Sequence, residues 1–170
     1  MARAGRPNKS DPRVEEMTRD IEKRDNEKVK KLLIEMGTKV FDSYLRTPLL
    51  WATFYDNVAL LTWLIDNGAD VNHKDRNGYS ALHFAGQEKR LECAKILVDN
   101  GADLDITDLH GNTPLWTAIF SSKDDLSLVK FYVQRGANID HVNKHQSTPR
   151  QMANTICGID LVSIVEHRED

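Results

Sequence analysis

The sequence has only two cysteines, Cys93 and Cys157, in 170 residues. Without a Cys-x-x-Cys spacing they supply neither a disulfide framework nor a paired-cysteine metal or redox site. Both stand in helical patterns beside apolar residues, where a thiol serves as a small buried hydrophobe kept reduced. No apolar run approaches the roughly 18 residues that a membrane span needs. The basic stretch Met1–Arg13 is followed by no apolar segment, which excludes a secretory leader. The glycines do not cluster as a phosphate loop requires. These absences predict a soluble chain in a reducing compartment, the cytoplasm, or the cytoplasm and nucleus.

What is present is ordinary in amount and uneven in placement. Hydrophobic residues make up 40% and charged residues 29%, as in a globular domain. The net charge of −3 points by itself to neither nucleic acid nor a membrane surface. Residues 1–31 hold ten Lys/Arg and seven Asp/Glu, and the remainder holds 13 and 19, so the body carries −6. An acidic body favours a basic partner.

One period organises the rest. Asn67-Gly68-Ala69-Asp70-Val71-Asn72, Asn100-Gly101-Ala102-Asp103-Leu104-Asp105 and Arg135-Gly136-Ala137-Asn138-Ile139-Asp140 align on glycines 33 and 35 residues apart. A second block keeps the same phase: Thr47-Pro48-Leu49-Leu50-Trp51-Ala52, Ser80-Ala81-Leu82-His83-Phe84-Ala85, Thr113-Pro114-Leu115-Trp116-Thr117-Ala118 and Thr148-Pro149-Arg150-Gln151-Met152-Ala153, with starts 33, 33 and 35 apart. Two blocks sharing one period and the same two-residue insertion are an internal repeat.

Each unit reads as two helices. Thr or Ser caps the first, and Pro48, Pro114 and Pro149 fall at its first position, where a missing N–H costs nothing. Ala52, Ala85, Ala118 and Ala153 are small enough for neighbouring units to approach. Apolar residues recur at helical spacing in the second helices: Val58, Leu61, Leu64 and Ile65; Leu91, Ala94, Leu97 and Val98; Leu126, Val129, Tyr132 and Val133; Ile159, Val162 and Val165. Gly68, Gly101 and Gly136 end these helices. Gly78 and Gly111 sit in the intervening turns, where Asp42, Asp75 and Asp108 read as residues that bond backbone N–H groups. Terminal units of such a stack need polar outer faces. Residues 12–42 read as an N-terminal cap unit whose second helix ends at Gly37, and 144–170 as a C-terminal cap unit with a polar finish. Between them lie 43–75, 76–108 and 109–143, making one domain over 12–170. Residues 1–11 read as a flexible basic arm.

These blocks resemble the ankyrin repeat, with its Thr-Pro-Leu-His-x-Ala opening and Gly-Ala-Asp-Val-Asn close, over residues from about 15 to 170. The resemblance implies an all-α solenoid of four to five helix-turn-helix repeats with short finger loops, stacked into a curved array. It implies that the His83 imidazole hydrogen-bonds backbone between adjacent repeats. Leu50 and Trp116 stand at the same place and depart from the pattern. Asn72 resembles the asparagines that are hydroxylated in animal ankyrin repeats.

The resemblance implies a binding module that is not an enzyme, with no cofactor, metal or catalytic residue. Cys93 falls inside a packed helix, where a thiol is inert. His141 and His145 straddle a finger, with no second ligand pair nearby for zinc. His73, His110 and His167 stand alone. Ala4-Gly5-Arg6-Pro7 is too short a match to minor-groove-binding arms to outweigh a basic tail.

Partners of ankyrin repeats contact the concave side, made of fingers and first helices. By position this implies Tyr44 and Arg46, Arg76 and Tyr79, and His110 and Asn112 in the fingers. On the first helices it implies Phe54, Tyr55, Gln87, Glu88 and Phe120. Ser43, Asn77, Leu109, Lys144, His145, Ser147 and Ser121 stand at equivalent places. Five of the twelve aromatics, Tyr44, Phe54, Tyr55, Tyr79 and Phe120, are expected to face solvent there, as a patch for one protein partner. Trp51 and Trp63 are expected in the core. The chain is expected to be monomeric alone. Ending soon after its last repeat, it is read as an inhibitor or immunity-type protein that blocks one partner. The other readings are an adaptor bridging two proteins and a nucleic-acid-associated regulator using the basic arm.

Overall fold

The computed structural model describes residues 11–123 and 125–166. Most of the expected basic arm, and the polar run at 167–170, lie outside the described residues.

Ten helices follow one another among the described residues, with no strand: α1 Pro12–Glu22, α2 Asn26–Met36, α3 Pro48–Phe54, α4 Val58–Asp66, α5 Ala81–Glu88, α6 Leu91–Asp99, α7 Pro114–Ser122, α8 Ser127–Gln134, α9 Pro149–Cys157 and α10 Leu161–Glu166. They pair into five helical hairpins. The first helices α1, α3, α5, α7 and α9 pack side by side in one layer, and α4, α6, α8 and α10 do so in the other.

Local chemistry sets the helix starts. The Thr47, Thr113 and Thr148 hydroxyls accept the N–H groups of Leu50, Trp116 and Gln151 at 3.4, 3.3 and 3.2 Å. In the second repeat His83 shares that task, because its Nδ1 accepts the Ser80 N–H at 3.2 Å. The second helices end on left-handed residues, with Gly68, Gly101 and Gly136 at φ of 78°, 84° and 99°.

The two layers close over a leucine-rich core that includes Leu49, Leu61, Leu82, Leu97, Leu115 and Leu128, all buried. Burying one such side chain contributes roughly 1.5–3 kcal/mol. Ala52, Ala85 and Ala153 are fully buried, and Ala118 nearly so, which lets the first helices touch. Gly86 extends this approach: a Cβ there would lie 3.1 Å from backbone atoms of α7.

The last unit keeps part of the expected register and adds to it. Of Ile159, Val162 and Val165, expected inward, Ile159 and Val165 pack half-buried against the core, while α10 begins at Leu161, the residue it fully buries. The Asp160 carboxylate accepts the Val162 N–H at 3.0 Å, which starts the helix after Ile159 and rotates Leu161 onto the core.

The fingers form a second, backbone-built system. The Oδ1 of Asp75 accepts the N–H groups of Asn77 and Tyr79 at 2.8 and 2.9 Å, and Asp42 and Asp108 repeat the arrangement. Asn143 performs it in the fourth finger, accepting from His145 and Ser147 at 2.9 and 3.1 Å. Each finger then donates one N–H to the finger before it: Arg76 to the Tyr44 carbonyl, Leu109 to Asn77 and Lys144 to His110, at 2.9, 3.0 and 3.0 Å. Gly78 allows this contact, since a Cβ would lie 2.9 Å from the Asp108 Cα.

Candidate partner-binding face

Histidine ties the repeats together. Buried His83 accepts from Ser80 through Nδ1, so its Nε2–H donates to the Asn112 carbonyl at 3.0 Å. Burial holds its pKa down to about 4, outweighing the upward pull of that bond. His73 Nε2 lies 2.7 Å from the Leu45 carbonyl, and His141 Nε2 lies 3.1 Å from the Gly111 carbonyl. Leu50 and Trp116 therefore leave no gap, because these histidines and the finger ladder join the repeats there. His110, expected to stand alone, stacks on His145 with centroids 5.9 Å apart. Cys93 is buried against Asp56, and desolvation raises its thiol pKa to about 12. Among the described residues no three of His, Cys, Asp and Glu gather to hold a metal ion, and no helix is long and apolar enough to cross a membrane.

The face shared by fingers and first helices carries a series of aromatic rings. It starts at Tyr44, whose ring lies 4.6 Å from the Arg46 guanidinium, and the same guanidinium lies 4.3 Å from the Trp51 ring. Trp51 stacks on Tyr55 at 5.8 Å, and Phe54 meets both edge-on at 5.7 and 5.1 Å. Phe54 touches Phe84 at 6.1 Å, and Phe84 touches Tyr79 at 5.6 Å. Tyr79 opens a hollow of about 210 Å³ shared with Asn112, Trp116, Thr117 and Phe120. The run crosses three repeats.

The sequence-predicted residues divide by exposure. Tyr44 at 50% and Phe120 at 69% stand open, as do Gln87 and His110. Arg46, Phe54, Tyr55, Arg76, Tyr79, Glu88 and Asn112 are half-buried. Phe54, Tyr55 and Tyr79 thus form the floor of the run instead of facing solvent freely, because each ring packs on its neighbour. Gln87 shares a second hollow, of about 330 Å³, with Arg46, Tyr79 and His110. Arg76 and Glu88 line neither hollow.

Three aromatics of this face were not among the residues inferred from position. Trp51, assigned to the core, packs half-buried against it, and its indole N–H donates to the Oδ2 of buried Asp42 at 3.2 Å. Phe84 and Trp116 join it. Their offset from the repeat's small Ala, shared with Trp51 or one helical turn from Phe120, was a signal available in the sequence. Trp63, also assigned to the core, packs half-buried against it, with the Lys30 Nζ 6.0 Å from its ring.

Comparison with known proteins decides the family. Residues 49–143 match the description of ankyrin repeats in three copies. The chain belongs to the ankyrin-repeat family. Inversin from Gallus gallus is 38% identical over 74 residues, covering 44% of this chain and 7% of that protein. Inversin from Mus musculus is 35% identical over 74 residues. The E3 ubiquitin-protein ligase Ufd4 of Drosophila melanogaster is 32% identical over 97 residues, covering 56% of this chain and 4% of that protein. This ankyrin-repeat protein spans less than a tenth of the length of these relatives. Ankyrin repeats are generally protein–protein interaction modules and typically non-enzymatic.

Proposed function

We propose that this protein is a non-catalytic binding module that seizes one protein partner on the finger and first-helix face and blocks it. The observation that carries the reading is the packed cluster Trp51, Tyr55, Phe54, Phe84 and Tyr79, flanked by exposed Tyr44 beyond Arg46 and exposed Phe120 across a hollow. Rigid aromatics set on a packed floor desolvate a large area at small entropic cost, which suits binding hot spots. Tyr44, Arg46, Phe54, Tyr55, Arg76, Tyr79, Gln87, Glu88, His110, Asn112 and Phe120 form the proposed surface, together with Trp51, Phe84 and Trp116. One face suffices for blocking. The same reading places the chain in the cytoplasm, where both cysteines stay thiols, and takes it as monomeric when free.

The test is affinity capture from native lysate by wild type and by a Tyr44→Ala/Phe120→Ala variant, read by mass spectrometry. One stoichiometric partner that the variant loses supports the reading, and a partner held equally by both removes it. An adaptor is the second reading. It is favoured by a hollow of about 460 Å³ between α8 and α10, away from the fingers, where Leu126, Ile159 and Ile164 stand beside Lys130, Gln134, Asp160 and Ser163. An adaptor binds two proteins at once, and only one of them is lost in the variant.

A further inference from the structure

The four finger turns differ at one atom. Asp42 Oδ2 receives the Arg46 Nε–H at 3.1 Å and the Trp51 indole N–H at 3.2 Å. Asp108 Oδ2 receives the Asn112 side-chain amide at 3.2 Å. Those donors stand four and nine residues after the aspartate. After Asp75 the same places hold Tyr79 and Phe84, and neither brings a side-chain donor to it. Among the described residues, Asp75 accepts only the Asn77 and Tyr79 N–H groups, both on Oδ1. No side-chain donor reaches its Oδ2, which keeps access to solvent although the residue as a whole is only 8% exposed. A carboxylate oxygen with water as its only donor is open to a charged partner donor, whose hydrogen bond is stronger than a neutral one. Burial pushes the Asp75 carboxyl pKa up against the pull of the two N–H bonds and of the nearby Arg46 charge.

Asp75 lines the hollow of about 330 Å³ on the finger face, with Tyr79, Phe84 and Gln87. Arg46 stands across it, but its charge is met by Asp42 and its plane is taken by the Tyr44 and Trp51 rings. With Arg46 paired to Asp42, the hollow and its rim keep one net negative charge, that of Asp75, although the Arg46 charge still acts on it. We propose that this hollow takes the guanidinium of an arginine on the protein partner, with Asp75 as acceptor and the Tyr79 and Phe84 rings as walls. The proposal rests on the finger-face reading above. A guanidinium fits better than an ammonium, because it is flat, stacks on rings, and offers several N–H groups to the carboxylate and the Gln87 amide oxygen together. Exposed Leu109 at the rim gives the arginine methylenes an apolar rest. The acidic body, with 13 Lys/Arg against 19 Asp/Glu in residues 32–170, favours a basic partner at longer range.

The full chain is used to select peptides from a random display library, and the winners are synthesised and titrated by calorimetry. Winners displaced by the Tyr44→Ala/Phe120→Ala change are expected to share an arginine. Asp75→Asn is expected to weaken them tenfold or more, with an unchanged melting temperature. Asn143 shows that asparagine builds the same turn, while its NH2 presents a donor where the guanidinium needs an acceptor. Asp108→Asn, equally conservative, is expected to leave binding intact. Face-specific winners without a shared arginine, with lysine in its place, or indifferent to Asp75→Asn overturn the proposal and leave the finger-face reading standing. Winners all indifferent to the Tyr44→Ala/Phe120→Ala change overturn both.

Discussion

The phenol of Tyr132 donates to the main-chain carbonyl of Leu82 at 2.8 Å, across 50 residues of sequence. Tyr132 is fully buried in α8, and Leu82 lies in the first helix of the preceding repeat. The bond therefore joins both layers of two repeats through the core. Tyr132→Phe keeps the ring and removes the bond, and should lower unfolding free energy by about 1 kcal/mol. Urea unfolding should remain a single transition, with hydrogen exchange quickening in both repeats. Quickening confined to α8 would show that the repeats unfold separately.

His83 makes stability depend on pH. Its ordinary pKa of 6.5 falls to about 4 in the folded chain, since burial disfavours the charged ring. The unfolded chain thus binds the proton more readily. The stability that neutral His83 contributes is complete above about pH 6.5 and is lost as pH falls toward 4. The loss is on the order of 3 kcal/mol. His83→Gln should flatten that part of the pH profile in urea titrations. Gln151 shows that glutamine can serve at this place, since its Oε1 accepts the Thr148 N–H at 3.0 Å.

Two glycines with similar backbone angles should respond differently to a methyl group. Gly68 has φ of 78° and open space around a built Cβ, so Gly68→Ala costs only left-handed strain, about 1 kcal/mol. At Gly78, with φ of 80°, the same Cβ meets main-chain atoms of Asp108 and Leu109 at 2.9 Å. Gly78→Ala should cost at least twice as much, and chemical denaturation of the two variants measures the difference. Equal losses would mean that the fingers yield freely.

Exposure separates binding from folding along the ring run. Phe120→Ala should leave the melting temperature unchanged and weaken partner binding by about 2 kcal/mol, near thirtyfold. Phe54, packed edge-on against three rings, should cost about 2 kcal/mol of stability when cut to alanine. Calorimetric melting beside affinity measurement distinguishes the two effects. A Phe120→Ala protein that melts early would place that ring in the fold and not in the surface.

The sequence by itself determined the period, the caps, the finger turns and the glycine stops. These rest on groups one to four residues apart, as when Asp75 reaches the N–H groups of Asn77 and Tyr79. It also determined that Cys93 and His83 are interior, because the repeat fixes which side of each helix faces its neighbour. Which rings form a floor and which stand free was decided only by the tertiary structure. Phe54 and Phe120 hold similar places in their repeats, yet Phe54 has Trp51, Tyr55 and Phe84 to lean on, while Phe120 remains 69% exposed. The Asp75 oxygen that no side-chain donor reaches appears only when its surroundings are compared with those of Asp42 and Asp108. Packing across repeats depends on side-chain rotamers and on neighbours some 33 residues away, which local periodicity does not encode.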